Sequence, residues 1–376
     1  MHPLLRPWLF VTLTLIWGGS MAQTSNTPAW QAGLVIDTSA QSRQLTLGQR
    51  DQGWGLGHSD LMLRGPIGAH FSAEFIAAFH TQDHKLDTHW ENAWLQTTRL
   101  PAGWQVRLGR FASQLGYWNE IHPHADDFVE RGLLERGLLG GHWVDDGVRV
   151  NWTAPTEVFL RLGVEAFSGR QLTPEASNGH SATVFNLKTG DDWGPEHSWQ
   201  WGLSRLNNQR EAPTPTGEVA AHEGPAFHGR RMWISDAVWK WAPGGNPKHQ
   251  QLRLVWEWAR LDRALPSARL NQGHQAHNLG LVWRFNRDWE TGLRWDRLQV
   301  NAPDAPSGQV VSVPGRWREA SWMVAYKPTD LQTLRAQWST QSSNAAAATL
   351  SLNGKAGHSV MLQYVLSFGA HGAHTF

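Results

Sequence analysis

Most of the chain alternates apolar and polar residues with a period of two, the repeat of a β-strand whose successive side chains leave on opposite faces. Phe71, Ala73, Phe75, Ala77 and Phe79 share one face while Ser72, Glu74 and His80 lie on the other. Val158, Leu160, Leu162, Val164 and Ala166 oppose Arg161, Gly163 and Glu165, and Leu252, Leu254, Trp256 and Trp258 oppose Gln251, Arg253 and Glu257. The same pattern recurs at Leu279 to Phe285 and at Val360 to Phe368. Alternation by itself fits a soluble sandwich as well as a membrane barrel.

The connections separate these two architectures. Short turns are expected at 65–68, 100–103, 154–157, 191–197, 243–249, 286–288 and 327–330. Long segments lie between them at 40–57, 80–87, 112–143, 168–181, 207–229, 262–276, 299–316 and 341–355. Short turns at one end and long loops at the other mark a bacterial outer-membrane barrel. Counting strands between them predicts an all-β, antiparallel up-and-down transmembrane barrel of about 16 strands, within a range of 14 to 18.

Composition agrees. The chain has 24 Trp among 376 residues against 3 Tyr, and no Cys. Trp gathers where one side of a residue is apolar and the other wet, as at a bilayer rim. Trp104, Trp152, Trp199, Trp201, Trp239 and Trp241 all fall near the short turns, where a periplasmic belt is expected. A mean hydropathy of -0.45 suits a barrel that shows lipid only every second residue, and a net charge of +1 gives no global field for nucleic acid. Outer-membrane lipid is the expected surrounding.

Residues 1–22 read as a signal peptide: Arg6, then an apolar stretch from Trp8 to Trp17, then Ser20-Met21-Ala22 as a cleavage site. The barrel is expected over 23–376, with its first strand at Gly33 to Thr38. That leaves no room for the N-terminal plug that a TonB-dependent receptor carries inside a larger barrel.

A barrel of this size is wide enough for an aqueous channel, which gives the polar face a destination. Arg107, Arg149, Arg161, Glu165, Arg253, Glu257, Arg284, Arg294 and Arg335, with Asp296 among them, are therefore expected to line the pore and set selectivity. The expected cargo is a small hydrophilic solute or ion.

Several stretches carry a resemblance: Gly109-Arg110-Phe111, Gly116-Tyr117-Trp118-Asn119, the run His122 to Phe128, Asp145-Asp146-Gly147-Val148, Trp152 to Thr156, His197 to Gln200, Leu362-Gln363-Tyr364 and the ending His371 to Phe376. In these the chain resembles a proteobacterial family of porin-like outer-membrane β-barrels, described also as phosphate-selective-porin-like, zinc-regulated or TonB-dependent-receptor-like. The resemblance implies an outer-membrane barrel and a link to metal supply. A terminal Phe376 after the last strand looks like the signal read by the barrel assembly machinery, and porins of this kind are often homotrimers.

The segment 112–143 is the longest connection, and loops of such length usually serve function. It is expected to fold inward as a constriction loop, with His122, His124, Asp126, Asp127, Glu130 and Arg131 as its working residues. Within it Asp126 to Leu139 reads as an amphipathic helix capped by Asp126, with Phe128, Leu133, Leu134, Leu138 and Leu139 apolar. His122 and His124 form an H-x-H pair close to carboxylates, a donor set that suits zinc, although both rings could equally serve to position the loop. The chain has no Gly-x-Ser-x-Gly elbow, P-loop, dinucleotide fingerprint or Cys-based site, so no enzyme chemistry is expected, and no cofactor is required.

Overall fold

A computed structural model describes residues 30–172, 182–209, 225–227, 229–262, 273–304, 311–350 and 352–369. The expected signal peptide, Phe376, His371 and His374 lie outside the described residues.

Seventeen strand segments form one antiparallel sheet that closes on itself. They are β1 Gln31–Gln41, β2 Gly53–Leu56, β3 Ser59–Ile67, β4 Phe71–Gln82, β5 Lys85–Thr97, β6 Trp104–Ala112, β7 Val144–Thr153, β8 Phe159–Phe167 and β9 Ala182–Trp193. The rest are β10 His197–Asn208, β11 Arg231–Trp241, β12 Gln251–Asp262, β13 His274–Arg284, β14 Trp289–Asp304, β15 Val311–Thr329, β16 Gln332–Ser343 and β17 Gly357–Gly369. Both β2 and β3 pair with β1, at Thr38 to Gln41 and at Gln31 to Val35 respectively. They are thus two pieces of one crossing strand, and the barrel has sixteen. The seam joins β1 to β17 with Gly33 opposite Gly369, which sets both ends of the barrel at the short-turn side.

The exterior is the apolar face that the alternation implied. Leu61, Phe75, Leu108, Val164, Leu281, Leu293, Trp322 and Leu362 all stand exposed on it, and in a closed barrel that band faces lipid. The belt of tryptophans is present at the short-turn end, where Trp104 stands opposite Trp152 and Trp199 opposite Trp239.

Two of the expected long loops are corrected. The segment 80–87 is a tight hairpin turning on Asp83 and His84, both at positive φ (51° and 59°). That is the twist a two-residue turn needs, and the backbone N–H groups of both residues donate to the Asp51 carboxylate, at 3.0 and 2.8 Å. In 299–316 the pairing of β14 with β15 runs on to Asp304 and Val311, so both strands extend well into the segment expected to be a loop.

A third correction concerns the interior. A hydrated lumen narrowed by the loop was expected, yet part of the long-loop half is filled by an apolar core. Wall residues Phe111, Phe167, Leu206, Met232, Ile234, Leu261, Leu298 and Trp317 pack there on Leu115, Leu133, Leu134, Leu138, Leu139 and Trp143 of the internal loop. Fully burying each leucine contributes about 1.5–3 kcal/mol.

Candidate functional site

The loop between β6 and β7, residues 113–143, lies inside the barrel. Its helix α1 is Leu133–Leu138, much shorter than the expected Asp126 to Leu139, and all six residues are buried. Asp126 is not its cap. It takes the guanidinium of Arg131 at 2.7 Å instead, and the N-cap position falls to Gly132, which has no side chain to offer. The wall supplies the missing acceptor, because Asp296 Oδ1 accepts from Leu133 N at 3.3 Å.

Charged wall residues hold the loop on all sides. Glu165 accepts from Ser113 Oγ at 2.6 Å and from Gln114 N at 3.1 Å. Glu257 accepts from Tyr117 N and, at 3.1 Å, from Trp118 N. The turn at Gly116 makes this approach possible, since its φ is +83° and a Cβ there would lie 2.8 Å from Glu257 Oε1. Arg136 pairs with Glu319 at 2.7 Å with both side chains buried, and Gln337 Oε1 accepts from Val129 N at 2.6 Å. From the β1–β2 loop, Arg50 bridges Asp37 at 2.5 Å and Val129 O at 2.9 Å.

The ten charges expected to line the pore all lie on the inward face, and most are spoken for. Arg149 pairs with Glu165 at 2.6 Å. Arg161 and Lys188 both reach Glu120 of the loop. Arg253 pairs with Asp127. Arg294 bonds Asp296 at 2.7 Å and Glu319 at 3.1 Å, and also donates to Glu130 O. Arg335 donates to Asp126 O at 2.8 Å and to Gln363. Arg107 bonds Gln96 at 2.8 Å and stacks on Trp94, while Arg284 pairs with Glu290. A group paired in this way anchors the loop to the wall.

Among the described residues, two chambers with charged groups in their walls lie on either side of the loop. The inner one, of about 130 Å³ toward the short turns, is lined by Asp126, Asp127, Arg253, Arg284, Glu290, Lys327 and Arg335. The outer one, of about 390 Å³ on the long-loop side, carries His58, His80, His89 and His142 with Asp51, Asp83, Asp87, Asp126, Glu91 and Glu130. Asp126 borders both.

At the floor of the outer chamber the loop meets the barrel wall. His122 Nδ1 is 3.0 Å from Glu91 Oε2 and 3.7 Å from Asp60 Oδ2. His58 Nε2 is 2.8 Å from Glu91 Oε2 and 3.1 Å from Asp60 Oδ1. His124 Nδ1 lies 3.0 Å from Asp60 Oδ2, and its ring stacks beside that of His122 at 5.7 Å. Burial opposes charge on His122, but the adjacent Glu91 and Asp60 outweigh it and push its pKa up to about 9. Burial prevails at His142, where Arg131 and His122 also disfavour a second positive charge, and its pKa falls to about 4.

Of this group the sequence pointed to His122 and His124 and missed His58, Asp60, Glu91 and His142. Irregularities in the ladder place three of the missed residues. The crossing strand breaks between β2 and β3 at Gly57 and His58, which turns His58 and Asp60 inward together. Glu91 is the extra residue of a β-bulge, skipped between the pairs Ile76–Asn92 and Ala77–Trp90. The signal in the sequence was the pair Glu91-Asn92, two polar neighbours where alternation allows one.

No family model matches the chain. A relative from Aquifex aeolicus, described as an uncharacterized protein, is 24% identical over 360 residues, covering 86% of this chain and 70% of that protein. Among solved structures, OmpT of Vibrio cholerae in its trimer form aligns with a TM-score of 0.57 at 11% identity, over 91% of this chain and 99% of that one. The outer-membrane channel DcaP of Acinetobacter baumannii aligns at 0.55 and 12%, over 92% and 99%. An anion-selective porin from Comamonas acidovorans aligns at 0.54 and 12%, over 91% and 99%. Identities this low speak for fold, and the fold is that of porin-like outer-membrane barrels. With the closed sheet and its apolar exterior, this sets the chain in the Gram-negative outer membrane.

Proposed function

We propose that this barrel is a narrow channel for passive passage of small hydrophilic solutes or ions, with the loop 113–143 as a fixed internal constriction. The observation that carries the reading is the pair of polar chambers that share Asp126, one on each side of the loop. A solute moving between them passes the Asp126–Arg131 pair and the charges Arg253 and Arg335. A barrel built only to be filled would have no reason to keep polar space on both sides of its filling. Deleting residues 122–140 is expected to raise single-channel conductance in planar bilayers several-fold; an unchanged step size would remove the constriction.

A second reading is favoured by how closely the loop fills the lumen, α1 being wholly buried. In it the barrel anchors a surface protein and passes nothing. Single-channel recording separates the two, because an anchor gives no conductance step. We further propose a homotrimer, on the likeness to a barrel with a trimer form, and insertion by the barrel assembly machinery through the C-terminal strand. Sedimentation in detergent at one third of the expected particle mass would rule the trimer out.

A further inference from the structure

We propose that His58, Asp60, Glu91 and His122 form a binding site for a divalent transition-metal ion of the zinc class at the floor of the outer chamber. Each of the four offers one donor atom, and those atoms all lie within 4.8 Å of one another. Tetrahedral zinc with bonds of about 2.0–2.1 Å sets its donors roughly 3.3 Å apart. Glu91 Oε2 lies 2.8 and 3.0 Å from the two imidazole nitrogens, and Asp60 offers Oδ1 at 3.1 Å from His58 Nε2 or Oδ2 at 3.7 Å from His122 Nδ1, separations near that spacing.

The carboxylates carry the second part of the argument. Asp60 and Glu91 are 3% and 1% exposed. Glu91 Oε2 meets both rings at 2.8 and 3.0 Å, whereas Asp60 Oδ1 accepts no hydrogen bond although His58 Nε2 stands only 3.1 Å away. Asp60 Oδ1 is thus a buried oxygen beside the cluster that has no hydrogen bond, as a donor to a cation would be. Two buried carboxylates match the charge of one divalent ion, while two imidazoles favour zinc, copper, nickel or cobalt over magnesium and calcium.

The surroundings also suit a metal. His124 Nδ1 contacts Asp60 Oδ2, and His142, held through its other nitrogen 3.0 Å from Asn119 O, contacts Glu91 Oε1. Outer partners of this kind orient metal-binding carboxylates. Toward the opening, Asp87 Oδ2 lies 3.9 Å from His80 Nε2 and 3.8 Å from His89 Nδ1, and the His89 ring is 6.4 Å from that of His58. This second cluster gives an incoming ion a looser stop on the way in.

The test is equilibrium titration of the full chain in detergent micelles with Zn²⁺ against a competing chelator, with Co²⁺ absorption as a reporter of tetrahedral nitrogen and oxygen donors. The wild type is expected to take up one equivalent, undisturbed by millimolar Mg²⁺ or Ca²⁺. His58→Ala, His122→Ala and Glu91→Gln should each weaken uptake by more than ~100-fold, and His124→Ala by roughly 10- to 100-fold, as loss of an outer partner does. His249→Ala, in an exposed turn at the other end, should leave it unchanged. Heat-modifiable gel mobility reports folding of each variant; if Glu91→Gln does not fold, the His58 and His122 variants decide. No saturable uptake, or uptake undiminished in those two, leaves a histidine–carboxylate network only and overturns the proposal. Binding is read in micelles, so a barrel that conducts without taking zinc removes this site alone, and one that binds zinc without conducting removes the channel alone.

Discussion

The two chambers are built by different means. The inner one takes Arg253, Arg284, Glu290 and Arg335 from regular positions of β12, β13, β14 and β16, with Lys327 at an irregularity of β15 and Asp126 and Asp127 from the internal loop. The outer one takes His58 and Glu91 from a broken strand and a bulge, and behind them stand Asp60 of the same broken strand and His122 of the internal loop. Regular ladders spread charge along a wall at the strand repeat. Concentrating several donors at one point requires breaking that repeat, so a tight site and an irregular backbone arise together.

The sharpest way to break this contrast is to free the wall between the chambers. Arg136→Ala leaves Glu319 buried but still bonded to Arg294 at 3.1 Å and Gln341 at 2.9 Å. The loss should fall near the low end for a broken buried pair, about 3 kcal/mol. The loop should become sensitive to protease and the channel noisier, with urea midpoint and bilayer recording as the readouts. Next in size, deleting Glu91 restores the register of β4 with β5. Zinc uptake should fall more than ~100-fold while conductance changes less than about two-fold, since the constriction stays in place.

A smaller effect is expected from Arg284→Gln combined with Lys327→Gln, which leaves Glu290 without its two cationic partners. Reversal potential in a salt gradient should shift toward cation preference, with zinc uptake unaltered; a shift in zinc affinity would show that the chambers are coupled. The smallest change is His84→Gly at the hairpin tip. His84 occupies φ +59°, which glycine adopts without strain, so urea unfolding should show a gain of at most about 1 kcal/mol.

The barrel, its strand number and its outward face were legible because lipid enforces alternation on every crossing strand. The internal placement of 113–143 was legible from length alone. The bounds of α1 were not: leucines at 133, 134, 138 and 139 suggested a longer helix, but Arg131 and Asp126 satisfy each other in a non-helical turn, and the cap comes from Asp296 on a strand far along the chain. The apolar core inside the lumen also escaped the alternation. Met232 and Ile234 are apolar at inward positions that flank outward Trp233, and such a run on both faces signals that something apolar packs inside. Glu91 escaped for the opposite reason, as a polar residue outside the period.

The seam between β1 and β17 joins Gly33 to Gly369, and the contacts that seat the loop come from Glu165, Glu257, Asp296, Glu319 and Gln337, almost all made later in synthesis than the loop itself. The wall contacts that seat the loop therefore form only once later strands are made, and such long-range pairing is slow.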